Sequence, residues 1–416
     1  AVAIVLLIIG IGVIMGLTIP KFKIMQKQTD IINGLTQENL TGLRVVRAFN
    51  GESYQEKKFN KANVELTKTQ LFTGRVMGLM SPLMIIVMNG LTLAIYWIGS
   101  LLANKGSADY ATITSFTMLA TQIVMSFMML IMMFIFWPRA SVAANRINEI
   151  LDMENSIKDP ETEKEFISEG TVEFKDVSFK YPDADEYVLE HISFKANKGE
   201  TVAFIGSTGS GKSTLINLVN RLYDASDGEV LVDGVNVKDV KQKTLRSKIG
   251  FVPQKGQLFS GTILSNIGFG KDIDVEKAEH CASIACASEF IEKMDGKYLA
   301  PIAQGGTNVS GGQRQRLCIA RAIAIDPEIF VFDDSFSALD FKTDKQVRQN
   351  LAKEEKGKTK LIVAQRIGTI MDADKIVVLQ EGKMVGIGTH NELLNNCPVY
   401  KEIALSQLSK EELGLE

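Results

Sequence analysis

Histidine and cysteine are scarce in this chain, three of the first and four of the second in 416 residues. The cysteines, Cys281, Cys286, Cys318 and Cys397, show no CxxC spacing. Neither a zinc site nor a disulfide framework is indicated, and the four read as small buried hydrophobes of a reducing compartment. A basic excess is also lacking. The formal net charge of −3 offers no field to a polyanion, which excludes nucleic acid as a partner on electrostatic grounds. No initiator methionine and no basic segment precede the first apolar run, so that run does not read as a signal peptide.

What the chain has is two unlike parts. Up to Trp137 it carries long uncharged apolar runs, whereas beyond Asp159 charged and apolar residues alternate as in a soluble domain. A helix needs about 20 apolar residues to cross the hydrocarbon core of a bilayer. Residues 1–20, 76–102 and 111–137 each supply such a run without one charge, and are read as three spanning helices. Between the first two lie Lys21, Lys23, Lys27, Arg44, Arg47, Lys57, Lys58, Lys61, Lys68 and Arg75, while the link 103–110 carries only Lys105. Positive residues mark the inside, which makes that link external and both 21–75 and the soluble part cytoplasmic. Ala1 then lies on the outer face. Three helices cannot enclose a path, so earlier membrane helices are expected ahead of the first.

Residues 26–75 keep helical patterning and carry the helices into the cytosol. Asn89 and Gln122 are polar within spanning runs and are expected to hydrogen-bond between helices. Met77, Met80, Met84, Met88, Met118, Met125, Met128, Met129, Met132 and Met133 crowd the last two spans. They read as packing, with the lining of an adaptable cavity as the alternative.

In the soluble part, residues 201–205 read as a short buried strand running into Gly206-Ser207-Thr208-Gly209-Ser210-Gly211-Lys212-Ser213-Thr214 and then an apolar helix. This is a P-loop in its required context. The glycines let backbone N–H groups turn onto phosphate oxygens, the helix N-terminus adds its dipole, Lys212 reaches the outer phosphates and Ser213 can hold Mg²⁺. A second apolar strand, 329–332, ends in Asp333 and Asp334. That places carboxylates at a sheet edge where a metal and an attacking water would sit, with Asp333 as the metal partner.

Between those motifs stands Val309-Ser310-Gly311-Gly312-Gln313, followed by a helical segment through Ala322. It resembles the signature sequence of the ATP-binding cassette (ABC) family. With the P-loop, the resemblance covers the whole chain, because a membrane part fused ahead of its cassette is the exporter arrangement. The resemblance implies further roles. Tyr181 matches the adenine-stacking aromatic, Gln254 in Phe251-Val252-Pro253-Gln254 the Q-loop residue near metal and water, Ser337-Ala338-Leu339-Asp340 the D-loop, and 48–54 the cytoplasmic coupling helix. It also implies two cassettes meeting head to tail, each ATP held between the P-loop of one and Ser310 to Gln313 of the other.

Two positions depart from the family pattern. Asp334 stands where most exporters have the Glu that orients the attacking water, and Gln365, in Leu361-Ile362-Val363-Ala364-Gln365-Arg366, stands where the family has His. The shorter carboxylate and the uncharged amide both predict slow hydrolysis at this loop. The pair resembles the weak-site subunit of heterodimeric bacterial multidrug exporters. Gln304, at a position where many exporters are acidic, puts any salt bridge to coupling helices in doubt.

The expected protein is thus multidomain: all-α transmembrane helices followed by an α/β P-loop cassette with a helical subdomain. Its parts are a partial transmembrane domain at 1–155, a linker at 156–169 and a cassette at 170–416, with an antiparallel portion near 171–195 and the helical subdomain near 263–324. Its cofactors would be ATP and Mg²⁺. Its partners would be a second half-subunit, in a heterodimer or a homodimer, the bilayer of the cytoplasmic membrane, and a small amphipathic substrate. Lipid or peptide export, or an ATP-driven gate without transport, are the rival readings.

Overall fold

A computed structural model describes residues 2–107, 109–165, 169–182 and 184–413. Within 110–151 it leaves out the side chains of 128, 130–132, 134, 135, 138 and 139, so the readings of Ala1, Met128 and Met132 fall outside it. The chain divides into two compact units, Ala1–Glu154 and Asn155–Glu416.

The first unit is helical: α1 (Val2–Thr41), α2 (Leu43–Ala48), α3 (Glu52–Gly78), α4 (Met80–Asn104) and α5 (Tyr110–Leu151). Among the described residues, α1 and the nearly continuous α3–α4 stretch are long and apolar enough to span a bilayer. The third apolar run lies within α5, which is described in part. The helix expected at 48–54 needs correction. The short helix is α2, and Phe49 to Gly51 form a turn in which Asn50 takes φ 50° and the Gly51 N–H reaches the Val46 carbonyl at 2.8 Å. Asn adopts the left-handed conformation more readily than most residues, so the chain stops its helix there. Leu7, Ile11 and Val124 form a small core against which Met80, Met84 and Met88 pack. Most other apolar side chains of these helices are exposed, Leu93 and Trp97 among them, as lipid-facing surface requires. Asn89 and Gln122 are exposed, and among the described residues neither side chain makes an interhelical hydrogen bond.

The second unit contains β1 (Val172–Phe179), β2 (Leu189–Ala196), β3 (Thr201–Gly206), α6 (Lys212–Val219), β4 (Asp227–Val232), β5 (Val235–Asn236), α7 (Gln242–Ser247), β6 (Ile249–Val252) and β7 (Gly261–Thr262). Helices α8 (Ile263–Gly268), α9 (Val275–Ile284) and α10 (Ser288–Glu292), strand β8 (Pro301–Ile302) and helix α11 (Gly311–Ala324) follow. The remainder is β9 (Ile329–Asp333), α12 (Phe341–Glu354), β10 (Thr359–Val363), α13 (Ile367–Ile370), β11 (Lys375–Gln380), β12 (Lys383–Gly388), α14 (His390–Asn396) and α15 (Pro398–Leu405).

The central sheet has the order β12-β11-β3-β10-β9-β6. It is parallel except for the β11–β12 hairpin. Its inner strands are apolar throughout because both faces are covered. Alternate residues divide between two cores. Ala203, Ile205, Phe330, Phe332 and Ile362 face one, which α8, α9, α11 and α12 help close, while Val202, Phe204, Val331, Leu361 and Val363 face the other. The second core is closed by α6 and by an antiparallel sheet of order β2-β1-β4-β5. The antiparallel portion therefore extends beyond residues 171–195, since β4 pairs with β1 from Val172↔Val232 onward.

The segment ahead of β1 lies along the cassette surface. Buried Arg221 donates to the Lys158 and Val240 carbonyls at 2.9 and 3.0 Å and pairs with Asp224. Asp159 accepts from the Gln242 backbone N–H at 3.0 Å.

Candidate active site

Four parallel strands deliver the site. The P-loop follows β3, Gln254 follows β6, Asp334 follows β9 and Gln365 follows β10, so all four lie beyond the carboxyl ends of neighbouring strands, where open α/β sheets place their ligands.

In the loop, Lys212 is 9% exposed and its ammonium donates to the Gly206 and Ser207 carbonyls at 2.9 and 2.7 Å and to Ser210 Oγ at 3.3 Å. Gly209 adopts φ 85°, and a Cβ built there would meet nothing within 4 Å, so the loop keeps an open side lined by backbone. Gly211, at φ 92°, is needed for a second reason: a Cβ there would lie 2.6 Å from Leu189 Cδ2 and 3.0 Å from the Val188 carbonyl. The loop is thus wedged against the start of β2.

Ser213 Oγ donates to Asp333 Oδ1 at 2.8 Å. Asp334 takes φ 46° and presents Oδ2 to two amides, Gln365 Nε2 at 2.8 Å and Gln254 Nε2 at 3.2 Å. These groups line a cavity of about 330 Å³ together with Val188, Thr208, Gly209, Gly211, Thr214 and Val363. Burial raises the pKa of both carboxyls; at Asp333 the Ser213 hydrogen bond opposes this and the neighbouring Asp334 adds to it. Burial lowers that of Lys212, against the pull of Asp334 and Asp333. Two desolvated carboxylates therefore share one lysine, a balance that a divalent cation would restore. The oxygens of Ser213 and Asp333, with the Gln254 amide nearby, fit Mg²⁺, and the open backbone loop with Lys212 fits a triphosphate.

Other sequence-derived residues lie apart. Tyr181 is half-buried, with its ring edge-on to Phe179 and Tyr223 and its hydroxyl 3.1 Å from Thr214 Oγ1, so it braces the loop's last residue. Ser310 and Gln313 cap the N-terminus of α11 reciprocally, the Ser310 N–H reaching Gln313 Oε1 at 2.9 Å, with Ser310 and Gly311 exposed. Asp340 caps α12 by accepting from the Thr343 N–H at 3.0 Å. Neither group lines this cavity.

Sequence reasoning missed the contacts that hold these in place. Ser337 Oγ donates to the Asp334 carbonyl at 2.8 Å, and Arg366 donates to the Ser337 and Leu339 carbonyls at 3.1 and 3.3 Å. Buried Gln315 donates to the Pro253 carbonyl at 3.0 Å and accepts from Gly256, bracing the segment that carries Gln254. Ser337, within the D-loop, and Arg366, beside Gln365, had a positional signal, but their bonds to these carbonyls did not.

Comparison with known proteins agrees with this geometry. The family model "ABC transporter" matches residues 189–337 and "ABC transporter transmembrane region" matches residues 1–127. An uncharacterised ABC transporter ATP-binding protein of Mycobacterium tuberculosis is 41% identical over 403 residues, covering 95% of this chain and 69% of that protein. The ABC transporter ATP-binding protein YfiB of Bacillus subtilis is 37% identical over 391 residues, covering 94% and 68%. Among solved structures, a bacterial Atm1-family ABC exporter with ATP bound superposes with a TM-score of 0.85 at 26% identity, over 98% of this chain and 72% of that one. The chain belongs to the ABC transporter family, as a half-subunit of exporter architecture whose transmembrane region and ATP- and Mg²⁺-dependent ATPase cassette share one polypeptide.

Proposed function

We propose that this chain is one half of a heterodimeric exporter of small amphipathic molecules in the cytoplasmic membrane, and that its own P-loop holds ATP while hydrolysing it slowly. Residues 1–155 would form part of the passage and 170–416 the engine. Ser310 to Gln313, at the N-terminus of α11 with Ser310 and Gly311 exposed, would close on the nucleotide of a second cassette, since a helix N-terminus is an anion site. Mg²⁺ at Ser213 and Asp333 would offset phosphate charge.

One observation carries the slow-site reading: Asp334 Oδ2 is taken up by the amides of Gln365 and Gln254. Only Oδ1 is left to orient a water, on a side chain one methylene shorter than Glu. Gln365 donates a hydrogen bond to Asp334 and brings no positive charge to the outer phosphate. A displacement of about 1 Å of the orienting group costs on the order of 10²-fold in rate. Asp334→Glu should therefore raise single-turnover hydrolysis at this loop by about tenfold or more. In the purified dimer, substituting the partner's matching carboxylate should stop steady-state hydrolysis, and Asp334→Asn should leave it within about twofold. The reading fails if the partner substitution leaves hydrolysis largely unchanged. ATP-dependent accumulation of an amphipathic dye in vesicles containing both subunits tests transport, and its absence would favour a gate.

A further inference from the structure

Gln407 lies two residues beyond α15, far along the chain from every motif, yet its side chain grips the segment that carries Gln365. Its Nε2 donates to the Gln365 carbonyl at 2.7 Å and its Oε1 accepts from the Ile367 N–H at 2.8 Å. The two bonds bracket residue 366 as a neighbouring strand would, in a stretch where β10 has ended at Val363 and the four-residue α13 is only beginning. In an extended stretch successive side chains point to opposite sides, and Arg366 has φ −101° and ψ 127°. Gln365 accordingly reaches Asp334 Oδ2 while Arg366 reaches the carbonyls of Ser337 and Leu339. The last backbone bond from this stretch to the sheet is that of the Ala364 N–H to the Phe204 carbonyl at 3.1 Å; beyond it, the carboxamide of Gln407 continues the register over residues 365–367.

We infer that Gln407 is a positioning residue for ATP hydrolysis, by which the carboxyl-terminal segment of the chain sets the orientation of Gln365 against Asp334. This rests on the reading of Gln365 and Asp334 as the hydrolytic pair, in which the Gln365 amide takes up Oδ2 but also fixes the carboxylate so that Oδ1 orients water, and the residual slow rate depends on that fixing. The loop that would hold phosphate is residues 206–214, which 365–367 do not belong to, so the clamp governs the rate of hydrolysis and not the affinity for ATP.

The test is single-turnover hydrolysis of radiolabelled ATP by the intact dimer in lipid nanodiscs, with the partner's P-loop lysine substituted so that only this loop is charged. Gln407→Leu, of similar size without either hydrogen bond, should slow hydrolysis on the order of tenfold while the Kd for ATP stays within about twofold. In a Gln365→Ala background the same substitution should have no further effect, because the clamp acts through that side chain. Should Gln407→Leu lower the melting temperature, Gln407→Glu serves instead, keeping the acceptor for Ile367 and setting an oxygen against the Gln365 carbonyl. The inference is overturned if the two substitutions multiply, if ATP affinity falls in step with rate, or if either folded Gln407 variant hydrolyses at the wild-type rate. Should Gln365→Ala itself change nothing, the pair reading falls and the inference with it; should Gln365→Ala slow hydrolysis while the Gln407 variants do not, the inference alone falls.

Discussion

Lys212 sits at the base of the phosphate loop with its ammonium on two loop carbonyls and a serine hydroxyl. Those contacts hold a buried charge ready for phosphate, and hydrogen bonds to charged groups contribute about 1.5–3 kcal/mol each. Lys212→Ala should weaken ATP binding on the order of 10²-fold, measured by titration with a fluorescent nucleotide. Gly211 is constrained twice, by φ 92° and by Leu189 and Val188 close against the space a side chain would need. Gly211→Ala should destabilise the protein by about 2 kcal/mol or more, seen as a lower melting temperature that added ATP restores only in part. Lys212 and Gly211 were legible in the sequence because a P-loop is contiguous. The bracing roles of Gln315 and Ser337 were not, since each acts on a main-chain atom of a segment whose position depends on the fold.

The strands and helices follow their local patterns closely where those patterns are strong. The apolar runs of β3 and β9 and the amphipathic α11 needed no tertiary information. The antiparallel sheet was read as smaller than it is, because β4 joins it only through pairing with β1 across a long stretch of chain and the two-residue β5 only through pairing with β4. The segment ahead of the cassette was legible only as an acidic linker. Its anchorage depends on Arg221, 3% exposed just past the end of α6 and bonded to Asp224, Val240 and Lys158. Arg221→Ala leaves two carbonyls and a carboxylate without this partner and should cost about 2–4 kcal/mol. Limited proteolysis should then cut between residues 155 and 165 faster than in the wild-type protein.

At the scale of the molecule, the cassette presents a complete nucleotide cradle in one place and an exposed, reciprocally capped helix N-terminus in another. On the proposed reading, the second belongs to a neighbouring cassette. Gly311→Asp puts a carboxylate in the first turn of α11, where it favours the helix itself but repels phosphate. Hydrolysis by the dimer should fall by more than about tenfold while ATP affinity at this chain's own loop stays within about twofold. A nucleotide titration beside a steady-state assay separates the two. An equal loss of both would count against a shared site.

The sequence by itself determined the membrane-spanning character of the first unit, the P-loop, the signature segment and the acidic end of β9. Each of these is written in contiguous residues, as apolar length, glycine spacing or a strand that ends in carboxylates. Only the tertiary structure decided that Gln254 and Gln365 converge on one oxygen of Asp334, from 80 and 31 residues away. It likewise decided that Gln407, 42 residues beyond Gln365, holds that residue's backbone. Such meetings depend on which strands lie side by side. Strand order is set by the burial of whole faces and leaves no periodic trace in the residues that come to meet.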